Sequence, residues 1–242
     1  MKQLISFLTV LFLMISAKQV YSQDSTSAVN IDPNVVIEKY IDAIGGRDAL
    51  SKVEDRTTIM RGTAMGQNLT ITVKQKAPNK MRQDVKAGGM EQVVIFDGDK
   101  AVMTAMGQKI PVEDKELESL KIEADMNFIL NPAKFNITIS SDGIEKVNDK
   151  DAYKIKMQTP SGTKWYSYFD AESGLKVKEL RELETKMGPA QQVTIYGDYK
   201  DVDGVKYPFK ITQSFGPQTV EMTVSSIKVN KGLADDIFVI AE

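Results

Sequence analysis

The sequence predicts a mainly β (α+β) fold built on a single, strongly curved antiparallel sheet. Short segments in which apolar and polar residues alternate follow one another along the chain, as in 69–74, 206–215 and 219–224. This period of two is typical of antiparallel strands with one dry and one wet face. About a dozen strand segments stand against very few helices, far more sheet than usual. The dry face therefore lacks helical cover, and it is the main lead to function.

The first residues predict export. Lys2 precedes an apolar run over residues 4–15, and Val20-Tyr21-Ser22 offers a cleavage site before Gln23. The run is too short to span a membrane, so residues 1–22 are predicted to be a signal peptide. Residues 23–31 are polar and expected to be disordered. Because the chain has no cysteine, no lipid anchor is expected, and the predicted location is the periplasm.

The single predicted domain, residues 32–242, begins with a helix. Asp32 is suited to cap it and Pro33 to occupy its first turn, while Gly45-Gly46 is suited to end it. Residues 47–53 are predicted to form a second short helical turn.

Strands follow in two series. The first series is predicted at 57–64, 68–76, 80–86, 91–96 and 100–106, with a strong hairpin signal at Asp97-Gly98. Between the series, residues 113–130 carry apolar residues at helical spacing. The second series is predicted at 135–140, 152–158, 164–169, 175–183, 191–199, 207–215 and 219–229. A shift of apolar phase in the last strand predicts a bulge at Ser225-Ser226.

The amino-acid composition excludes several kinds of catalytic and metal site. The chain contains no cysteine and no histidine, which excludes thiol nucleophiles, serine–histidine triads and the usual zinc sites. Its formal net charge is −2, and no basic patch with interleaved aromatics predicts a nucleic-acid partner. No catalytic residue, metal site or cofactor is predicted. A hydrolase with two converging carboxylates stays open as the least favoured hypothesis.

Four turn-like segments point to a known family: 76–82 (KAPNKMR), 94–100 (VIFDGDK), 168–175 (YFDAESGL) and 234–239 (ADDIFV). With the order of elements, they resemble segments of the periplasmic lipoprotein carriers of the LolA type and their LppX-like relatives, the last segment resembling a closing strand. The resemblance implies an unclosed half-barrel, covered by the N-terminal helix and by a helical lid (residues 113–130). It also implies acyl chains held on the concave face.

One position departs from this pattern. The family's carriers have an arginine immediately before the proline of the first segment, where it is thought to latch the lid. This chain has Ala77 there, with Lys76 and Arg82 nearby. The departure favours a lipid- or lipoprotein-binding protein over a dedicated sorting carrier.

The predicted function is a non-enzymatic periplasmic carrier whose partners are lipid acyl chains or lipoproteins, with an envelope membrane protein as a further partner and a monomeric state. The alternative is a non-catalytic protein-interaction module of the same fold. Flexible methionines, aromatics and lid residues are the ligand-binding candidates, although core packing is an equally ordinary role for them. They are Met60, Met81, Met103, Leu117, Leu120, Ala124, Phe128, Met157, Trp165, Phe169, Phe209 and Met222.

Overall fold

The computed structural model describes residues 31–185 and 188–241. The predicted signal peptide and, apart from Ile31, the predicted disordered segment lie outside these residues. Within them, no helix is both long and apolar enough to cross a membrane.

The described residues form one sheet of 13 strands, all paired antiparallel and not closed into a barrel. The strands are β1 (Asp55–Ala64), β2 (Gln67–Lys76), β3 (Lys80–Ala87), β4 (Met90–Phe96), β5 (Ala101–Ala105), β6 (Gln108–Val112), β7 (Thr138–Val147), β8 (Lys150–Gln158), β9 (Lys164–Asp170), β10 (Lys176–Thr185), β11 (Gly188–Val202), β12 (Val205–Phe215) and β13 (Gln218–Val229). β1–β6 form a first meander and β7–β13 a second, and β1 joins them by pairing with β13. The predicted fold class is confirmed.

Several local predictions are also confirmed. In the β1–β13 pair, Ile59 lies opposite Ser226 and Met60 opposite Val224, so Ser225 is the extra residue of a bulge. At the β4–β5 hairpin the Asp97 carboxylate accepts hydrogen bonds from the backbone N–H groups of Asp99 and Lys100, both at 2.9 Å. These bonds fix the tight turn.

The structure differs from the sequence prediction in several segments. The short edge strand β6 was not predicted, because Pro111 interrupts its pattern; proline is tolerated at a sheet edge. β7 extends to Val147 through a register shift between Ser141 and Ile144, where Asp142-Gly143 is typical of a turn. The segment expected to be a closing strand is instead a 3₁₀ turn over Asp235–Phe238, with Phe238 buried.

The N-terminal helices cover one part of the sheet. α1 (Pro33–Ala43) begins where the Asp32 carboxylate accepts the Asn34 N–H at 2.9 Å, and α2 (Arg47–Ser51) follows at once. Gly45 between them has φ +130°, and a Cβ there would lie 2.2 Å from the Gly204 carbonyl oxygen, so only glycine fits. The close approach seats α1 on the β11–β12 turn.

The apolar face of α1 packs onto the second meander. Val36, Ile37 and Ile41 are buried in the main core cluster with residues of β8, β9 and β12. We call this side of the sheet the inner face.

The predicted helix over residues 113–130 is shorter than expected. α3 (Asp114–Ala124) ends because the Asp125 carboxylate accepts the Asn127 N–H at 2.9 Å and pairs with Lys134 at 2.6 Å. A 3₁₀ turn, Phe128–Leu130, completes the lid.

One face of α3 packs onto the first meander. Leu120 and Ala124 are buried beside Met81, Phe96 and Met103, and Leu117 lies at the margin of this cluster. Leu120 and Ala124 therefore dock α3 on the first meander, while Ile122 of the same helix belongs to the core cluster under α1.

We predict that Leu120→Ala destabilises the protein by about 2–5 kcal/mol, because it removes a fully buried side chain from the α3 cluster. Leu117→Ala, at the half-buried margin of the same helix, is the matched control and is expected to cost about 1 kcal/mol. Urea unfolding of both variants measures the difference. Equal losses would contradict the described docking of α3.

Candidate functional site

Two adjacent compartments lie between the inner face of the sheet and the covering helices. The first, of about 270 Å³, is bounded by α1, α2 and the end of the lid. The second, of about 420 Å³, is bounded by the lid, including α3. The wall that they share contains Thr58, Met126, Phe128, Tyr196 and Ile211. Together they reach the size of a small-molecule binding pocket.

Most of the lining is apolar. Ile44, Leu50, Ile129, Val205 and Ile227 line the first compartment. Val73, Ile122 and Leu183 line the second. The compartments are lined by residues of α1, α2, the lid and strands of both meanders.

The structure brings together part of the predicted ligand-binding set. Met157 and Phe169 line the first compartment, Met60 and Trp165 line the second, and Phe128 lines both. Trp165 is the only tryptophan of the chain. Ligand contact by these residues stays a prediction.

The other predicted residues line neither compartment. Met81, Met103, Leu117, Leu120 and Ala124 belong to the α3 cluster. Met222 packs in a small cluster with Leu69 and Ile71, and the ring of Phe209 lies under the Lys200 ammonium at 4.8 Å. Leu117, Leu120 and Ala124 of the lid thus face the first meander. Ser119, Ile122 and Glu123 of the same helix line the second compartment.

The site also contains a charged cluster that the sequence pattern did not predict. Glu179 of β10 accepts Lys176 Nζ at 3.0 Å on one carboxylate oxygen and Arg181 Nε at 2.7 Å on the other. Residues three apart on a regular strand face opposite sides, but a register shift between Lys176 and Lys178 turns Lys176 to the same face as Glu179. The three side chains line the second compartment.

The two cations of this triad hold Glu179 in its charged form. Burial alone would raise the pKa of Glu179, but Lys176 and Arg181 outweigh it and lower that pKa to about 2. Burial likewise opposes the charge on Lys176, yet Glu179 and the nearby tyrosines raise the Lys176 pKa well above its ordinary value. All three groups are charged at neutral pH.

A second polar chain links the sheet to the lid. Arg56 Nη2 donates to the Gln75 amide oxygen at 2.5 Å, and Gln75 Nε2 donates to the backbone carbonyl of Glu123 at 2.8 Å. The basic residues around Ala77 turn elsewhere, since Lys76 Nζ donates to the Leu233 carbonyl. The side chain that donates to the lid backbone is therefore Gln75, and Lys76 is bound elsewhere.

Tyrosines complete the polar part of the lining. Tyr40, Tyr196, Tyr199 and Tyr207 line the first compartment, and the Tyr199 hydroxyl donates to the Lys176 carbonyl at 2.7 Å. Burial raises the pKa of all four, that of Tyr196 to about 12, so they are neutral hydroxyl donors.

Most carboxylates of the second compartment are held in ion pairs. Four acids line it, namely Glu123, Asp125, Glu179 and Glu182, and Asp125 and Glu182 are paired with Lys134 and Lys164. Both Glu179 oxygens are occupied by cations, which leaves neither free to act as a base or nucleophile.

A sequence signal for this cluster did exist. Residues 176–182 (KVKELRE) carry more charge than a half-buried strand normally does. Their strict alternation is broken, so the pattern did not tell which charges face inward.

Comparison with solved structures identifies the architecture. A LolA superfamily protein from Nitrosomonas europaea aligns with a TM-score of 0.58 and 16% identity, over 88% of this chain and 99% of that chain. The chain has a LolA-like fold. No protein-family model matches the sequence, and no curated protein matches it.

Two further structures support the same fold. A DUF1329 family protein from Desulfovibrio piger aligns with a TM-score of 0.56 and 12% identity, over 86% of this chain and 98% of that chain. An outer membrane lipoprotein-sorting protein domain from Vibrio parahaemolyticus gives 0.54 and 10%, over 86% and 97%. The expected resemblance is confirmed at the level of fold.

We predict that the Glu179 triad stabilises the protein only above acidic pH. A depressed pKa contributes stability that is complete above the ordinary glutamate value of 4.5 and is lost as pH falls towards about 2. At neutral pH, Glu179→Gln should therefore cost on the order of 3 kcal/mol. The difference from wild type should shrink as pH falls through that window.

Urea unfolding at a series of pH values measures the difference. Glu182→Gln is the control: Glu182 is an exposed acid of the same strand, paired with Lys164 at 3.1 Å, and such a pair contributes at most about 1 kcal/mol. A loss for Glu179→Gln that is independent of pH would argue against the triad.

Proposed function

We propose that this protein is a non-enzymatic lipid- or lipoprotein-binding carrier of the cell envelope, which holds acyl chains in the two compartments. The observation that supports the proposal is a partly open, mostly apolar space on the inner face of the sheet, covered by α1, α2 and the lid. Burial of apolar surface is the driving force for taking up an alkyl chain.

Two of the structures with the same fold support the carrier role. One is a LolA superfamily protein and another an outer membrane lipoprotein-sorting protein domain. The predicted signal peptide agrees with a periplasmic location. Ala77, in place of the carriers' arginine, leads us to propose acyl-chain binding as the core activity, with sorting to an acceptor as a separate question for experiment.

The single tryptophan allows a direct binding assay. Trp165 lines the second compartment, so a brominated acyl chain bound there lies close enough to quench its fluorescence. We expect saturable quenching by brominated lipids and none by brominated water-soluble acids of similar charge. Absence of saturable quenching would argue against the proposed function and for the interaction-module alternative.

A pair of neighbouring threonines tests where the chain binds. Thr58 lines both compartments, whereas Thr57 precedes it on β1 and faces the opposite side of the sheet. We predict that Thr58→Phe fills the shared space and weakens acyl-chain binding by about tenfold or more. Thr57→Phe should leave it unchanged.

The readout is the concentration at which quenching of Trp165 is half complete. A cooperative thermal melt of each variant checks that it is folded. Equal affinities of the two variants would place the ligand elsewhere on the molecule.

A further inference from the structure

The charges that line the first compartment all have one sign. Arg56, Lys176 and Lys206 lie in its wall, and the described residues of that wall include no aspartate or glutamate. Arg56 and Lys176 also line the second compartment. We call the region where the compartments meet, beside Arg56 and Lys176, the junction. It carries positive charge within a mostly apolar lining, and binding of an alkyl chain alone does not require that charge.

Arg56 is the least satisfied of these groups. The described partners of its guanidinium are the Gln75 amide oxygen and, at 5.1 Å, the Tyr207 ring, and both are neutral. Its Nε is buried without a hydrogen-bond partner. Arg56 as a whole is partly buried, and buried donors such as this Nε nearly always have an acceptor in folded proteins.

The acids of the second compartment do not supply that counter-charge. The Asp125 carboxylate is paired with Lys134 at 2.6 Å, and Glu182 with Lys164 at 3.1 Å. Glu123 also lines the compartment, but its side chain is exposed, and its described contact with the Arg56–Gln75 chain is through its backbone carbonyl. Glu179 is held by the two cations of its own strand.

Neutral donors surround the same junction. The hydroxyl-bearing residues Thr58, Ser167, Tyr40, Tyr196 and Tyr207 line the first compartment. Tyr40 lies within electrostatic range of both Arg56 and Lys176. An oxygen anion at this place would meet two cations and several hydroxyl groups, with no carboxylate of the first compartment opposing it.

We propose that the junction binds the anionic head of an amphiphile, a carboxylate or a phosphate, so that the ligand lies head inward beside Arg56 and Lys176. Its alkyl chain extends along the apolar lining of the compartments. This inference rests on the proposed function and adds the class of ligand to it.

The physical chemistry of the site accounts for this preference. Arginine presents a fork of N–H donors that matches a carboxylate or phosphate, and the partly buried setting strengthens the ion pair relative to water. A neutral head would leave the Arg56 charge uncompensated, whereas an anionic head supplies the missing acceptor. The discrimination should therefore be large.

The test compares three probes of equal chain length: a long-chain fatty acid, the corresponding alkyl phosphate and the corresponding primary alcohol. Each displaces a brominated acyl probe whose quenching of Trp165 is followed. We expect at least one anionic probe to bind about tenfold to a hundredfold more tightly than the alcohol. The ratio between the two anionic probes tells which head the junction prefers.

Variants locate the effect. Arg56→Gln should abolish the preference for an anionic head, and Arg56→Lys should retain part of it. Arg61→Gln is the matched control, because Arg61 is an exposed arginine of the same strand, and it should keep the full preference. Thermal melts monitor folding.

Each outcome bears on one claim. Alcohol bound as tightly as both anions by the wild-type protein overturns the head site and leaves acyl-chain binding intact, and this comparison needs no variant. Failure of all three probes overturns the proposed function itself. A preference that survives in folded Arg56→Gln also overturns the assignment to Arg56.

Discussion

The architecture depends on one constraint: an antiparallel sheet of 13 strands has more inner surface than its helices can cover. α1 packs on the second meander, and α3 packs on the first through Leu120 and Ala124, while Ile122 of α3 joins the cluster under α1. The compartments lie between these covers and the inner face, so their location follows from how the helices are anchored.

Ionisable groups inside such a cavity have to be held in place by their neighbours. The Glu179 triad achieves this by mutual pairing, after a bulge in β10 brings Lys176 to the inner face. Replacing a buried triad of this kind with apolar residues often costs little stability, whereas removing one of its partners leaves an unpaired charge and is costly. Arg56 has no such partner, and in the proposed complex the anionic head of the ligand pairs with it.

The sequence predicted the fold better than it predicted the site. Period-two alternation, the Asp32 cap and the Asp97-Gly98 turn are local signals, and the structure contains each of them. The direction of a side chain on α3 depends on long-range docking, which one sequence does not encode in its spacing. Leu120 and Ala124 therefore lie in a core, while Glu123 faces the compartment. The charged junction escaped prediction because the bulge that creates it interrupts the alternation.

The central claim is that the space beneath the lid is a ligand site. A crystal structure with a fatty acid brominated at its far end tests it most directly, because anomalous scattering locates the bromine without reference to a fitted model. The account predicts a bromine peak within the lined compartments and carboxylate density beside Arg56. A packed, ligand-free interior with bromine only on the outer surface would contradict it.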